Sequence, residues 1–322
     1  MAHCVPYALV DVFSDEPLQG NPLALVPDAD ELPQELMPRI AREFNQAETT
    51  FLLSPTRPGA DWRLRSFTAA GVEVFGAGHN ALGAWWWLAA IGRLGHREDR
   101  PWHQQLGSEV LEVGIAGGPD GLVDVTLRQR AAEYGQELTD RTALARALGV
   151  DDEDLGAGGG DRGAGGGGIG AGGGLPVAQV VSTGAAHLLV GLRGRAAVDA
   201  AAPDAARLRA LLPGVGGQGV YLYALDPAEP GADVHARFVN PVAGITEDPA
   251  TGSAAGPLAC LLRRHGPAVG DRVTIAQGHA LDRPSRIQVT FADDVPSVTG
   301  RAALAAEGTL RLPVHSLRAR TS

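Results

Sequence analysis

The chain has 322 residues, 44% hydrophobic and 20% charged, with a formal net charge of −10. That length suffices for two cores; the acidity argues against non-specific nucleic-acid binding, which needs a basic face, and no run reaches the ~18 apolar residues of a membrane helix. All 27 Lys/Arg positions are arginine, which excludes a lysine Schiff base, pyridoxal-phosphate attachment included, and the lysine of a phosphate-binding loop.

Residues 1–7 carry neither a basic region nor a long apolar core, so no signal peptide is expected. Two cysteines, Cys4 and Cys260, make no disulfide framework, and a reduced cytoplasmic setting is the expectation. Residues 7–13 form an apolar run of strand length, turn chemistry fills 14–22, and 23–26 reads as a second strand. Leu32, Leu36, Ile40 and Phe44 recur on one stripe, predicting a helix over 32–44. Glu48 lies in a short connection to a strand at 49–53, and 61–67 is another strand. The segment 73–83 then runs into the Trp-rich stretch 84–91, a long helix stopped by Gly92. Strands at 109–113 and 122–127 close the first half.

A helix over 138–148 precedes residues 156–174, of which 13 of 19 are glycine. Glycine has no side chain to bury and loses the most entropy on ordering, so this stretch reads as a flexible surface loop. A phosphate cradle is short and leads straight from strand to helix, which this stretch does not. Strands follow at 179–184 and 187–192, a helix at 205–212, and strands at 219–224, 234–238, 272–276, 286–291 and 297–303. Strands dominate and helices are few, which predicts α+β and not a regular alternating sheet.

The most informative stretch is Glu247-Asp248-Pro249-Ala250-Thr251-Gly252-Ser253-Ala254-Ala255-Gly256. Pro249 pushes Asp248 into an extended conformation, Gly252 lets backbone approach a ligand, and the helix that follows starts with unpaired N–H groups suited to an anion. A capped helix start without chemistry is the competing reading of this segment alone. A second segment of the same kind, Glu73-Val74-Phe75-Gly76-Ala77-Gly78-His79-Asn80-Ala81-Leu82-Gly83, weighs against that reading. In both, a glutamate precedes the pivotal glycine by five residues, and Arg65 and Arg237 lie upstream at strand ends. Gly78 and Gly252 are 174 residues apart, a period that implies two similar lobes.

Phe44-Asn45-Gln46-Ala47-Glu48-Thr49-Thr50-Phe51, the stretch from Phe67 through Gly78-His79 to Gly83, and Glu247 through Gly256 together resemble the PhzF-like isomerases of phenazine biosynthesis. Asp11-Val12-Phe13, Gly20-Asn21-Pro22, Ser182-Thr183-Gly184, Gln277-Gly278 and Arg283-Pro284-Ser285 fit the same pattern in order. The resemblance implies a diaminopimelate-epimerase-like fold: two similar lobes, each a curved, mostly antiparallel sheet wrapped around a long central helix, with the active site in the cleft between them. It places an N-terminal lobe at 1–128, a C-terminal lobe at 129–306, and a strand or tail at 307–322 that returns to the first lobe. It also implies a homodimer, a small carboxylate-bearing substrate, no cofactor and no metal.

Carried over by motif, Glu48 is the expected general acid/base, with His79 and Asp248 as the other catalytic candidates and Gly78, Asn80, Thr251, Gly252 and Ser253 as candidate substrate-binding residues. A carboxylate with a pKa near the operating pH can take a proton from an acidified carbon and return it elsewhere. At a helix N-terminus the neutral imidazole of His79 is favoured. Two-base relatives of this fold use a cysteine in each lobe; the matching positions here are Ala77 and Thr251, neither of which can act as a thiolate base, which argues against two-thiol racemisation. The function implied is a cofactor-independent proton-transfer isomerase of secondary metabolism, similar to trans-2,3-dihydro-3-hydroxyanthranilate isomerase. The alternatives are a double-bond isomerase or epimerase of a cyclic amino-acid-derived intermediate, or a non-catalytic small-molecule-binding protein that kept the fold. A serine hydrolase is disfavoured, because Gly252–Gly256 lacks the Gly-x-Ser-x-Gly spacing. His187, His265 and His279 show no metal-ligand spacing and receive no role.

Overall fold

The chain divides into two units, residues 1–127 with 300–322 and residues 128–299. The computed structural model describes residues 3–95, 100–118, 121–156, 175–227, 229–266 and 270–312; most of the glycine-rich stretch (157–174) and residues 313–322 lie outside the described residues.

In the first unit, β1 (His3–Val12) pairs antiparallel with β2 (Asn21–Val26). The chain then crosses over through α1 (Met37–Phe44), so that β3 (Glu48–Leu53) lies parallel to β2. The helix expected from residue 32 starts five residues later, after two short 3-10 turns at Ala29–Glu31 and Gln34–Leu36. Pro33 accounts for the delay: it lacks an N–H and pushes Leu32 out of the helical region. β4 (Trp62–Thr68) is antiparallel to β3 and turns into the short β5 (Glu73–Val74). After α2 (His79–Ala90), β6 (Trp102–Leu106) returns parallel to β4, and β7 (Glu109–Gly117) and β8 (Val123–Arg128) follow as a meander.

Both faces of β3 are covered, which is why Thr49–Leu53 is uniformly buried and shows no period-2 alternation. On one face α1 sets Met37, Ile40 and Ala41 against Phe51, Leu53 and Phe67. α2 is apolar nearly all round, with Leu82, Trp85 and Leu88 fully buried. It touches β1, β2 and β3 and also β7. Strands from distant places in the sheet order meet one helix, so the sheet curves around it. Gly83 permits this approach: a Cβ there would lie 2.7 Å from the side chains of both Leu23 and Val12.

The second unit repeats this order. β9 (Glu133–Glu137) and α3 (Arg141–Leu148) lead to β10 (Ala178–Ser182), which pairs antiparallel with β11 (Ala186–Gly191). The crossover runs through α4 (Arg195–Ala200) and α5 (Ala205–Val215) to β12 (Gly219–Ala224), parallel to β11. β13 (Val234–Asn240) and β14 (Ile245–Asp248) form the hairpin before the long helix α6 (Gly252–His265). β15 (Arg272–Gln277) then returns parallel to β13, followed by β16 (Ser285–Ala292) and β17 (Val295–Gly300). Finally β18 (Ala302–Leu312) pairs antiparallel with β1, as β9 does with β10. α3 and α5 cover the outer face of the second sheet with Leu144, Leu148, Leu208 and Leu212, while α6 touches β10, β11 and β16. The architecture is α+β, two similar curved sheets that are mostly antiparallel, each with a long central helix.

Ladder register makes the repeat specific. Phe51 faces Arg65 in the first unit and Leu222 faces Arg237 in the second; Leu23 faces Glu48, and His187 faces Gly219. The two arginines anchor the match, which sets Glu48 against Gly219 and Leu23 against His187. No helix among the described residues is long and apolar enough to cross a membrane.

Candidate active site

Glu48 opens β3, opposite Thr68 and Leu23. It is half-buried, with Oε2 shielded from solvent. Two residues on, Thr50 Oγ1 lies 2.9 Å from Ser66 Oγ, and Ser66 Oγ accepts from Asn80 Nδ2 at 3.0 Å. This buried chain ties β3 and β4 to the first turn of α2. Asn80 Nδ2 also donates to Gly76 O at 3.0 Å, and Asn80 Oδ1 accepts the Gly78 N–H at 2.7 Å. Asn80 and the Gly78 amide therefore spend these polar atoms shaping the loop at the start of α2. His79 is the first residue of α2, and its Nε2 is buried without a hydrogen-bond partner. Burial pushes its pKa down to about 4, so the imidazole is neutral at pH 7.

Arg65 pairs with Glu73 in bidentate fashion, at 2.6 and 2.8 Å. The second unit repeats the pair: Arg237 donates to both oxygens of Glu247 at 2.9 Å, and its Nη1 also reaches the carbonyls of Val198 and Ala201 at 2.8 and 2.9 Å. The glutamates noticed five residues before each pivotal glycine are thus hairpin anchors, held by the arginines noticed upstream.

Asp248 ends β14. Its Oδ2 accepts the Thr251 hydroxyl at 2.6 Å, and its carbonyl accepts Gln277 Nε2 at 2.7 Å. Gln277 is fully buried and uses its whole amide: Nε2 also donates to Thr251 Oγ1 at 3.1 Å, while Oε1 accepts the Thr251 N–H at 3.1 Å and the Tyr221 hydroxyl at 2.8 Å. Burial, with a smaller push from the Asp248 charge, raises the Tyr221 pKa, so the phenol remains a donor. Ser285 Oγ donates to Pro249 O at 2.8 Å. Gly278 has φ +85°, and a Cβ there would lie 2.2 Å from Arg283 O and 2.7 Å from Pro249 O. Residues 248–251 are thereby locked against β15 and the turn after it. Thr251 commits its hydroxyl to Asp248 and Gln277 and so aims the carboxylate.

Thr251 is also the N-cap of α6 but makes no side-chain cap. Ala254 and Ala255 donate their N–H groups to Thr251 O, while the Gly252 and Ser253 amides precede any intrahelical acceptor and remain available to an anion. Gln129 Nε2 holds Gly252 O at 3.0 Å, and Gln129 Oε1 accepts the Thr183 hydroxyl at 2.8 Å. Gly256 leaves room for this latch, because a Cβ would fall 1.7 Å from Gln129 Oε1. Ser253 Oγ lies 3.1 Å from His187 Nε2.

From sequence, His187 receives no role and Gln277 appears only within the Gln277-Gly278 pattern; Gln129 and Tyr221 are not singled out. His187 is 66 residues from Ser253, and a search for metal spacing passes over it. The available signal is the internal repeat, which places it on the strand beside the start of the second central helix.

A model of the phenazine biosynthesis-like protein family matches residues 10–308. The trans-2,3-dihydro-3-hydroxyanthranilate isomerase of Pseudomonas fluorescens is 34% identical over 289 residues, covering 87% of each chain. A PhzF-family phenazine biosynthesis protein of Bacillus anthracis has a similar structure, with a TM-score of 0.83 at 24% identity over 96% of this chain and 99% of that one. A probable proline racemase of Agrobacterium radiobacter shares the fold at 14% identity, with a TM-score of 0.59 over 97% and 94% of the two chains.

Proposed function

The chain belongs to the phenazine biosynthesis-like protein family and is an isomerase; we propose that it moves a proton within trans-2,3-dihydro-3-hydroxyanthranilate or a closely related cyclic carboxylate, with Glu48 carrying the proton. The observation that carries this reading is the asymmetry of the repeat. The strand position that holds Glu48 in the first unit holds Gly219 in the second, where a Cβ would lie 2.5 Å from the Phe238 ring. That half has no room for a matching side chain, and neither Ala77 nor Thr251 is a thiol. One carboxylate must then both remove and return the proton, which relocates it and does not invert a centre between two opposed bases.

In this scheme Glu48 takes a proton from a carbon acidified by the conjugated system, and the electron pair left behind delocalises. The carboxylic acid so formed returns the proton at another carbon and regenerates the carboxylate. No redox partner or cofactor enters the balance. The Gly252 and Ser253 amides and the α6 dipole hold the substrate carboxylate. Asp248, aimed by Thr251 and Gln277, accepts from a substrate amine or hydroxyl, and neutral His79 serves as a hydrogen-bonding group. Homodimer formation, read directly by light scattering, and a cytoplasmic setting complete the proposal.

The test is turnover of trans-2,3-dihydro-3-hydroxyanthranilate in heavy water. Wild type should isomerise it with Glu48-dependent deuterium uptake, and Glu48→Gln should lower kcat by about 10³, within the usual range for a general acid/base. Near-normal turnover by Glu48→Gln would remove Glu48 from the mechanism.

A further inference from the structure

We propose that His187 is a positioning residue for the same reaction: its Nε2–H fixes Ser253 Oγ as an acceptor, and so commits the Ser253 hydroxyl hydrogen to the substrate's anionic group. The inference rests on the reading of α6's first turn as the carboxylate grip.

His187 lies on β11, opposite Val181 of β10 and Gly219 of β12, and is only 3% exposed. One ring nitrogen, Nε2, meets Ser253 Oγ at 3.1 Å; the other, Nδ1, is closed off from solvent and has no hydrogen-bond partner. The ring stands edge-on to Phe238 at 5.0 Å between centroids. Burial pushes its pKa down to about 4, so at neutral pH it carries one N–H.

Two tautomers are open to it. With hydrogen on Nδ1, a buried N–H would have no acceptor, which folded proteins rarely tolerate. With hydrogen on Nε2, the donor is satisfied by Ser253 and only a lone pair goes unused. The second arrangement also gives the serine a defined polarity. Its oxygen is occupied by His187, and its hydrogen joins the Gly252 and Ser253 amides as a third donor at the same helix end. The opposite tautomer would turn a serine lone pair toward a bound carboxylate.

The repeat supports a dedicated role. Counting from the pivotal glycines, Ser253 matches His79, and by register His187 matches Leu23. One unit carries its imidazole on the helix and a leucine on the strand; the other carries a hydroxyl on the helix and brings an imidazole from the strand. Leucine at 187 is therefore a side chain that this architecture already accommodates at the matching position.

Three readouts test the proposal. In ¹⁵N-histidine NMR of the wild-type protein, His187 should be the neutral Nε2–H tautomer, with an Nε2–H signal that shifts in Ser253→Ala; an Nδ1–H tautomer or an imidazolium at neutral pH overturns it. With 3-hydroxyanthranilate as the binding probe, His187→Leu and Ser253→Ala should each raise Kd about tenfold, and the double variant no further, because one residue acts through the other. Additive losses, or an unchanged Kd in His187→Leu, overturn it. In turnover, His187→Leu should raise KM and leave kcat within about twofold; equal loss of kcat and kcat/KM overturns it. An active Glu48→Gln would defeat the assignment of the base without moving the tautomer or the probe affinities, so the two failures are separable.

Discussion

Gln277→Leu is the most direct test of the polar framework behind Asp248. Leucine is close in size to glutamine but can neither donate nor accept. The exchange removes four hydrogen bonds of 2.7–3.1 Å. Thr251 Oγ1 keeps its 2.6 Å bond to Asp248, but the Tyr221 hydroxyl and the Thr251 N–H lose the acceptor they share. Each buried orphan costs about 1–3 kcal/mol. Leucine recovers part of this, because its burial is favourable and no amide need be desolvated. The net loss is about 2–4 kcal/mol, a large share of the ~5–15 kcal/mol that holds a typical domain together. For a domain of ~150–250 residues this lowers Tm by roughly 4–16 °C. Calorimetry of wild type and variant reads the shift, and kcat/KM measured below the variant's Tm reads the loosening of Asp248. A Tm within 2 °C of wild type with undiminished kcat/KM would refute the claim that this amide holds residues 248–251.

Gly219→Ala places a methyl 2.5 Å from Phe238 Cζ and 3.1 Å from the Val239 carbonyl. Such overpacking costs about 1–3 kcal/mol, visible as a lowered urea midpoint; an unchanged midpoint would show that the Phe238 ring yields and that this position tolerates a side chain. Acid should weaken the fold in a defined window. His79 and His187 have folded pKa values of about 4 against an ordinary 6.5, so between those values the unfolded chain binds protons that the folded chain refuses. Their contribution is intact above pH 6.5 and is lost as pH falls toward 4, by up to about 3 kcal/mol per ring. Urea midpoints at pH 7 and 4.5 should fall less in His187→Leu than in wild type, and an equal fall in both would count against a buried neutral His187.

The elements most legible in sequence are those whose burial is apolar. The stretch around Trp85 reads as a buried helix because every face of α2 is covered, and 219–224 reads as a strand because both faces of β12 are. β6 has no such signal. Its Trp102-His103-Gln104-Gln105-Leu106 looks like loop, yet Gln104 is fully buried because it accepts Trp85 Nε1 at 2.9 Å, and Gln105 is buried against Thr56. β9, with Glu133-Tyr134-Gly135-Gln136-Glu137, is hidden for the same reason: partners distant in sequence satisfy or shield polar residues. At the site, the motif residues stand out because glycine and proline mark where backbone must bend or come close. Their supports stand out less: Gln277 shows only through the Gln277-Gly278 pattern, and the four bonds by which it holds the loop are not written in its residue type. The glutamates show the limit from the other side. A repeat at fixed distance from Gly78 and Gly252 is plain in the sequence, but only the bonds to Arg65 and Arg237 reveal it as scaffolding.

The pairing of β1 with β18 has a consequence for how the chain is made. β1 is hydrogen-bonded from His3 to Val12 against Leu312 to Ala302, and everything in the second unit is encoded between these partners. During synthesis residues 128–299 have all emerged before the outer partner of β1 exists. The half of the protein translated second therefore has its full complement of strands first. Until β18 arrives, the earlier half waits with one side of its opening strand unpaired, a surface prone to pairing with other chains. The order in which the ribosome writes the two halves is the reverse of the order in which they can be completed.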